Sequence, residues 1–591
     1  MTNQEISHLL RTIAASYAIK DEKKHYFQII AYQKAADAIE KTTTEAKDLY
    51  KEDKLATLPG VGPSIQAHLS ELFRTGKVKH FETVLKEVPP AVFPLLDIPS
   101  FGPKKAFKLV SVFKFTNPKT VIDDLAKIAE SGKIADLEGF GEKSQADILR
   151  AVQEYRLGKT KSGRMVLPYA NELAEKMLTY LRKSKYVKDA YAMGSLRRRR
   201  DTIGDVDLAV TSGKLDEVIK HFVAYPYKDR VIEKGPQTSS IIISGGKQID
   251  IMVLKPELAG SLLQHFTGSK AHNIKLRELA LKKGWSLSEK GIKQTYQGKK
   301  VMKTYDTEEK FYKALSMDWI PPEIREDTGE IERALKHDLP PLIELKDIKG
   351  DFHLHSNFPI EPSHDLGADT IKTMVDTAKQ RGYSYMGFSE HNPSTGNHTA
   401  QQIYTLTQKR NNEIEKVQKS NKSIRIFKLL ETDIQPSGDL AIDEKALSLL
   451  DAAIVSIHSV FSMPKEQMTK RIIKGLSRPK AKILAHPTGR IINERSGYEV
   501  DWEELFAFAK SHKKALEINA WPTRLDLPDE IVRKAVEKGV LLIIDTDSHT
   551  ASQMDLMQYG VSVARRGWAT KANIVNSWPL DTFTSWLLNR E

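Results

Sequence analysis

The sequence predicts a multidomain chain: an α-helical first part, an α/β middle, and a C-terminal part in which strands and helices alternate as in a parallel sheet or a barrel. Three observations predict it. With 591 residues the chain exceeds what one hydrophobic core normally spans, and 40% hydrophobic residues suffice to pack several. The first 160 residues carry helical patterns punctuated by tight Gly turns. From residue 351 onward, short apolar runs alternate with helical patterns, and each run ends in a residue of metal-ligand type.

Bulk properties narrow the function classes. No apolar run approaches the length that crosses a bilayer. Met1 to Lys20 lacks the uninterrupted apolar core and cleavage-type ending of a signal peptide. The chain has no cysteine, which excludes disulfides and thiolate metal sites and agrees with a reducing cytoplasm. A cytoplasmic monomer is the expectation. The net charge is +13, of which residues 1–350 carry +12 and the remainder +1. A region-wide basic excess points to a polyanion partner. Histidine is skewed the other way, with nine of 17 after residue 350.

Leu9 to Ala38 and Ala46 to Lys54 read as amphipathic helices. Leu58-Pro59-Gly60-Val61-Gly62-Pro63 follows, and a related pattern recurs as Ile98-Pro99-Ser100-Phe101-Gly102-Pro103 and as Leu137-Glu138-Gly139-Phe140-Gly141-Glu142. Each is an apolar-Gly turn leading into a helix. Glycine lets backbone N–H groups approach an anion, and the start of a helix favours negative charge. Three such turns in one basic region resemble helix-hairpin-helix motifs, which hold nucleic-acid backbones without reading sequence. Ser100 replaces the first glycine of the second copy and weakens its case.

In the middle part, past the basic linker Lys159 to Arg164, Tyr169 to Lys183 reads as a helix and Ala190 to Met193 as a strand ending at Gly194-Ser195. Residues two apart on a strand share a side, so Asp205 and Asp207 project together. Asp250, between Ile249 and Ile251, comes from a second strand. Three converging carboxylates repel one another unless divalent cations sit among them. Mg²⁺ takes hard oxygen ligands and leaves room for phosphate, and two such ions can clamp both oxygens of an in-line phosphoryl transfer. A lone Asp-x-Asp is more often a solvated strand end. Gly-Ser followed by Arg197-Arg198-Arg199-Arg200 and Gly204-Asp205-Val206-Asp207 is more specific. This combination resembles the nucleotidyltransferase palm of family X DNA polymerases.

That resemblance implies roles by position. Asp205, Asp207 and Asp250 hold Mg²⁺ or Mn²⁺ and carry catalysis. Gly194, Ser195 and Arg198 meet the triphosphate of a deoxynucleotide, and Gly204 lets the strand turn into the site. In His265-Phe266-Thr267-Gly268-Ser269, Phe266 and Gly268 pack against the sugar. Asn273 reaches the base edge and Arg277 the template. His265 stands where relatives place another aromatic residue, which bears on ribose discrimination. Asp201 stands where relatives often have Glu, with no large consequence expected. Gly60, Val61, Gly62, Gly102, Gly139 and Gly141 contact DNA. In some members a lysine of the first domain forms a Schiff base with an abasic sugar. Here its place is held by His68 and a nearby lysine's by Ser64, and imidazole cannot form that imine.

Trp319-Ile320-Pro321-Pro322 and Leu339-Pro340-Pro341 bracket a charged stretch that reads as a semi-rigid connector. Beyond it, His353 and His355 share one side of a strand. His391, Glu431, His458, His486, Asp547 and His549 follow, each at the end of an apolar segment. Helical patterns lie between them at Thr370 to Arg381, Glu444 to Leu450, Glu503 to Lys510 and Pro528 to Lys538. In barrels, functional side chains gather at the carboxyl ends of strands. The set resembles the polymerase-and-histidinol-phosphatase (PHP) domain, a trinuclear-metal phosphoesterase, and the resemblance implies a distorted (β/α) barrel. The resemblance makes all eight residues ligands of two or three Mn²⁺, Zn²⁺ or Fe ions, since imidazole and carboxylate without sulfur suit these metals. A ninth ligand falls in Ser363-His364-Asp365-Leu366-Gly367, where Asp365 is the choice and His364 the alternative.

The resemblances divide the chain into residues 1–80 and 81–158 (helical, with helix-hairpin-helix motifs), 159–255 (palm), 256–316 (thumb), 317–348 (linker) and 349–591 (PHP domain). They imply a DNA-directed DNA polymerase of DNA repair, including base excision repair. It fills short gaps in gapped or nicked DNA from deoxynucleoside triphosphates, with a 3′→5′ exonuclease in the C-terminal domain. Two other readings use the same residues: an untemplated nucleotidyltransferase fused to a small-molecule phosphoesterase, and a non-enzymatic DNA-end-binding scaffold. Three Gly turns and the basic excess weigh against the first, and the filled ligand positions against the second.

Overall fold

The computed structural model describes residues 3–41, 46–51, 53–58, 61–98, 101–156, 164–243, 247–296, 299–493, 495 and 497–589. The chain forms two units, Met1–Met165 with Ile243–Lys247, and Val166–Ile242 with Gln248–Glu591. Among the described residues no helix is long and apolar enough to cross a membrane.

The first unit is helical. The stretch expected as a helix from Leu9 to Ala38 is two helices, Asn3–Asp21 and Tyr26–Lys41. The break falls in a charged run, where the Asp21 carboxylate accepts from the backbone N–H groups of Lys23 and Lys24, both at 3.1 Å. That side-chain bond competes with the helical ladder. Helix Ala46–Lys51 is shorter than predicted. These helices and Pro63–Thr75 bury Ile6, Leu10, Ile13, Tyr32, Ile65 and Leu69 in one core. Val92, Leu95, Leu109, Leu125 and Ile148 belong to another.

The second unit opens with helix Leu167–Leu181, whose buried face is Leu173, Ala174, Met177, Leu178 and Leu181. A five-stranded sheet follows, in spatial order Asp189–Ala192, Val206–Thr211, Lys247–Leu254, Thr238–Ile243 and Lys228–Lys234. The second and third of these are parallel, with Asp207 directly opposite Asp250. Ile249, Ile251 and Val253 are buried, which fixes the register because a one-residue slip would turn them outward.

Residues 317–348 are not the extended connector expected from their prolines. Met317, Ile320, Ile324, Ile331 and Ala334 share one core with Phe311 and Tyr312, and Glu330–Lys336 is helical. The anchor is ionic. Glu308 accepts from Arg197 Nη2 at 2.6 Å, Arg325 Nη1 at 2.6 Å and Trp319 Nε1 at 3.1 Å. Arg325 is fully buried and stacks on Tyr312.

In the C-terminal part five parallel strands run in spatial order Glu431–Asp433, Ala453–Ser456, Ala481–Leu484, Ala515–Asn519 and Leu541–Asp545. Tyr385–Phe388 and Arg425–Lys428 form a separate parallel pair. The core strands are buried along their length, as expected where helices cover both faces. The regular ladders among the described residues do not close a ring. Single parallel bridges, Leu354 to Ser548 and His391 to Glu431, lie outside them. The segment holding His353 and His355, read as a strand, is paired regularly with neither neighbour and has only the bridge at Leu354.

Replacing Glu308 with Ala leaves the Arg325 guanidinium buried and unpaired, which costs about 3–5 kcal/mol. Hydrogen exchange should show helix Glu308–Ala314 and residues 320–325 opening far more readily in that variant, with the rest of the second unit protected as before. Although burial opposes it, Arg325 and Arg197 pull the Glu308 carboxyl down to about 2. The stabilisation is therefore complete above the ordinary glutamate range and is lost as pH falls through about 2.

Candidate active sites

Asp205, Asp207 and Asp250 each offer an oxygen within 4.8 Å of the others. Asp205 immediately precedes its strand and is exposed, whereas Asp207 and Asp250 are half-buried. Gln248 Nε2 donates to both oxygens of Asp250 at 3.0 Å. Burial, with Asp205 and Asp250 beside it, pushes the Asp207 carboxyl up to about 7, opposed by Arg198. Three carboxylates that cannot all ionise comfortably are the arrangement a divalent cation relieves. Gly194 has φ of +57°, and a Cβ there would collide with the Asp207 carboxylate. Only glycine combines that backbone with that proximity.

Arg198 lies beside this cluster but is already engaged. Its Nε donates to Glu326 Oε1 at 3.1 Å and its Nη1 to the Thr267 carbonyl. A Cβ on Gly268 would come within 3.1 Å of Arg198 Nη1, so the Gly268 turn and the arginine are neighbours. Ser195 and Gly204 are half-buried, as is Phe266, whose ring meets His265 edge-on at 4.8 Å. Asn273, on helix Lys270–Lys282, donates to the His265 carbonyl and accepts from Gln264 Nε2 of the preceding helix, each at 2.7 Å. Arg277 is exposed on the same helix, which Ser269 caps by accepting from His272 N–H. Arg197, not singled out from the arginine run, is the one that anchors Glu308.

The C-terminal residues gather around a cavity of about 410 Å³ lined by Asp365, His391, Glu431, His458, His486, Asp547 and His549, together with His364, Trp521 and Arg524. Glu431, fully buried, lies 3.0 Å from His353 Nε2, 3.0 Å from His391 Nδ1, 3.3 Å from His458 Nε2 and 3.1 Å from His486 Nε2. His355 Nε2 is 3.3 Å from Asp547. Both residues of the alternative in the 363–367 loop face this group. Asp365 lies 3.1 Å from His391 and 3.2 Å from His549. His364 forms a metal-sized triad with His391 and His458.

The charges are mutually supportive. Against burial, His391, His353 and His458 hold the Glu431 carboxyl well below the usual range. Glu431 and Asp365 in turn raise His391 to about 10, again against burial. Burial lowers His355 to about 3, and neighbouring imidazoles add to it. His353 Nε2, His355 Nε2 and His391 Nδ1, the nitrogens turned toward Glu431, are buried without a hydrogen-bond partner. Orphaned imidazole nitrogens in a carboxylate-lined cavity fit metal ions, as do the four triads of ligand atoms in metal-binding proximity.

Sequence reasoning missed the carboxylates that orient these ligands. Glu517 lies 2.6 Å from His353 Nδ1 and accepts from His486 N–H at 2.6 Å. Asp433 lies 2.6 Å from His458 Nδ1. Asn519 donates to Asp547 at 3.1 Å. Their signal was present: Glu517 and Asn519 alternate within an apolar run, and Asp433 follows Glu431 at strand spacing.

In the first unit, Gly62 and Gly102 are the residues just before helices Pro63–Thr75 and Pro103–Phe113, each with Pro in the first turn. An added Cβ would meet nothing within 4 Å at Gly62, Gly102 or Gly141, so these turns are open to an approaching backbone. Gly139 has φ of +81°, which a turn of this shape requires. Val61 is buried beneath its turn. Gly60 and Ser100, and the linker residues before Arg164, lie outside the described residues. His68 accepts or donates at Nδ1 with the Tyr32 hydroxyl at 3.0 Å and stacks on His80 at 4.8 Å.

Known proteins are similar to this chain in sequence. Residues 1–78 match the family model described as a helix-hairpin-helix domain, and residues 262–326 the one described as the DNA polymerase beta thumb. The chain is 25% identical over 320 residues to the DNA polymerase lambda of Arabidopsis thaliana, covering 49% of this chain and 54% of that one. It is 27% identical over 190 residues to a protein of Caldicellulosiruptor saccharolyticus named "Probable phosphatase", covering 31% of this chain and 74% of that one. The DNA polymerase/3′-5′ exonuclease PolX of Bacillus subtilis (strain 168) is 35% identical over 589 residues, 99% of each chain. By that full-length likeness, the chain belongs to the PolX family of DNA polymerase/3′-5′ exonucleases.

Proposed function

We propose that the chain is a DNA-directed DNA polymerase that fills short gaps during cytoplasmic DNA repair and trims 3′ ends at its C-terminal site. One observation carries this reading: a three-carboxylate cluster on the middle sheet and a separate imidazole-lined cavity, each suited to divalent ions. When bound, Mg²⁺ or Mn²⁺ at the first site and two or three Mn²⁺, Zn²⁺ or Fe ions at the second would supply Lewis-acid stabilisation of a phosphoryl group in transfer.

At the polymerase site, Asp205, Asp207 and Asp250 hold the ions, and Asp250 stands nearest the primer 3′-hydroxyl and accepts its proton. Ser195 and Arg198 grip the incoming triphosphate, for which Arg198 exchanges Glu326 for phosphate oxygens. Phe266 and Gly268 pack against the sugar. Asn273 and Arg277 face the base edge and the template. At the nuclease site His353, His355, Asp365, His391, Glu431, His458, His486, Asp547 and His549 are the ligands, and Arg524 is the cavity's guanidinium for the scissile phosphate. Gly60, Val61, Gly62, Gly102, Gly139 and Gly141 hold the DNA backbone in the first two helical domains. The C-terminal strands are a distorted barrel in this reading, with the packed 317–336 stretch belonging to the thumb.

A gapped-duplex assay following extension and shortening together tests the two-site reading. Asp205→Ala should reduce nucleotide incorporation by about 100-fold or more and leave 3′ shortening intact. His353→Ala should do the reverse. Equal loss of both activities in either variant would sink the separation of sites. Chelation should stop both activities, and activity that persists without divalent ions would contradict the metal reading. Borohydride treatment with abasic-site DNA should trap no adduct through residues 64–68, because neither Ser64 nor His68 can form an imine. A trapped adduct mapped to that helix would be the contrary result.

A further inference from the structure

No step above uses Asp201, which lies between the arginine run and Asp205. Its backbone carbonyl accepts from Leu167 N–H at 3.0 Å, fixing it to the start of the first helix of this unit. Its carboxylate accepts from Arg490 Nη1 at 3.2 Å. Arg490 follows His486 on the same loop, and its other nitrogens reach a different segment. Nε donates to the Arg524 carbonyl at 2.8 Å and Nη2 to the Leu525 carbonyl at 2.6 Å. Leu525 has φ of +40°, a conformation that a branched side chain rarely holds without outside support. The buried Asp526 carboxylate adds a second tie by accepting from Thr488 N–H at 3.1 Å.

The segment so held carries Trp521 and Arg524, which line the nuclease cavity. Arg524 Nε is 3.7 Å from Asp547, and the Trp521 ring meets His549 edge-on at 6.2 Å. The same arginine run makes two further contacts with the C-terminal part. Arg566 Nη1 donates to the Arg198 carbonyl at 2.8 Å, and Arg200 lies 3.8 Å from Asp529.

We propose that Asp201 and Arg490 are positioning residues for 3′-end hydrolysis. Asp201 aims Arg490, and Arg490 holds the 521–526 segment so that Arg524 meets a phosphate oxygen and Trp521 presents its ring to the terminal base. The nucleotide-binding loop of the polymerase site thereby sets the geometry of the nuclease cavity. This rests on the nuclease reading of that cavity.

The test is steady-state shortening of a 5′-labelled single-stranded oligonucleotide by full-length chains loaded with Mn²⁺. Asp201→Ala and Arg490→Ala should each raise KM about tenfold with kcat nearly unchanged. The double variant should be no worse than Arg490→Ala alone, because Asp201 acts only through Arg490. Asp201→Asn, which keeps an acceptor oxygen, should retain most of the affinity. Bound metal should match the parent in all of them. A parent-like KM in Asp201→Ala overturns the proposal. So do multiplicative effects in the double variant, or metal loss in either single one. A parent chain that leaves 3′ ends intact overturns the nuclease reading itself, and this inference with it.

Discussion

The C-terminal half depends on one buried carboxylate. Glu431 is surrounded by four imidazoles at 3.0–3.3 Å, and almost none of it is exposed. An isolated charge so placed would be prohibitively costly to desolvate, so its neighbours must be cationic or coordinated. The side chains that surround it come from segments more than 100 residues apart, from His353 to His486. His458 and His486 follow strands of the five-stranded sheet, His391 follows a strand of the separate pair, and His353 comes from the segment bridged at Leu354. The orienting carboxylates Glu517 and Asp433 fix the direction of two of these rings, those of His353 and His458.

The middle sheet meets the same electrostatic problem with a different solution. Parallel register sets Asp207 opposite Asp250, and Gln248 and Arg198 offset part of the repulsion. The raised Asp207 carboxyl is the visible result. The C-terminal cavity neutralises itself largely through its own imidazoles, whereas the carboxylate cluster needs help from outside the chain. That difference follows from the donor sets alone.

Much of this was legible in the sequence, where local periodicity and function coincide. Asp205, Asp207 and Asp250 could be grouped because strand spacing and apolar flanks constrain where such side chains point. The eight histidine and carboxylate positions stood out because polar residues at the ends of apolar runs are conspicuous. What was not legible depends on contacts made at long range. The strand expected at His353 and His355 is only a single bridge, because its partners are the ends of other segments rather than a full ladder. Prolines at 321–322 and 340–341 suggested an extended connector, yet Ile320, Ile324 and Ile331 find a core supplied by Phe311 and Tyr312. Asp201 looked inconsequential because its partner lies 289 residues away.

The packed stretch after Trp319 bears on how the polypeptide can be divided. Residues 317–336 belong to the same core as Phe311 and Tyr312, and Arg325 lies wholly inside it. A cleavage made at the first proline pair would strip Glu308 of a buried counter-ion and lay open an aromatic surface that ordinarily never sees solvent. Shortened versions of the protein therefore need to retain the sequence through the Glu330–Lys336 helix if their amino-terminal fragment is to stay dispersed rather than clump.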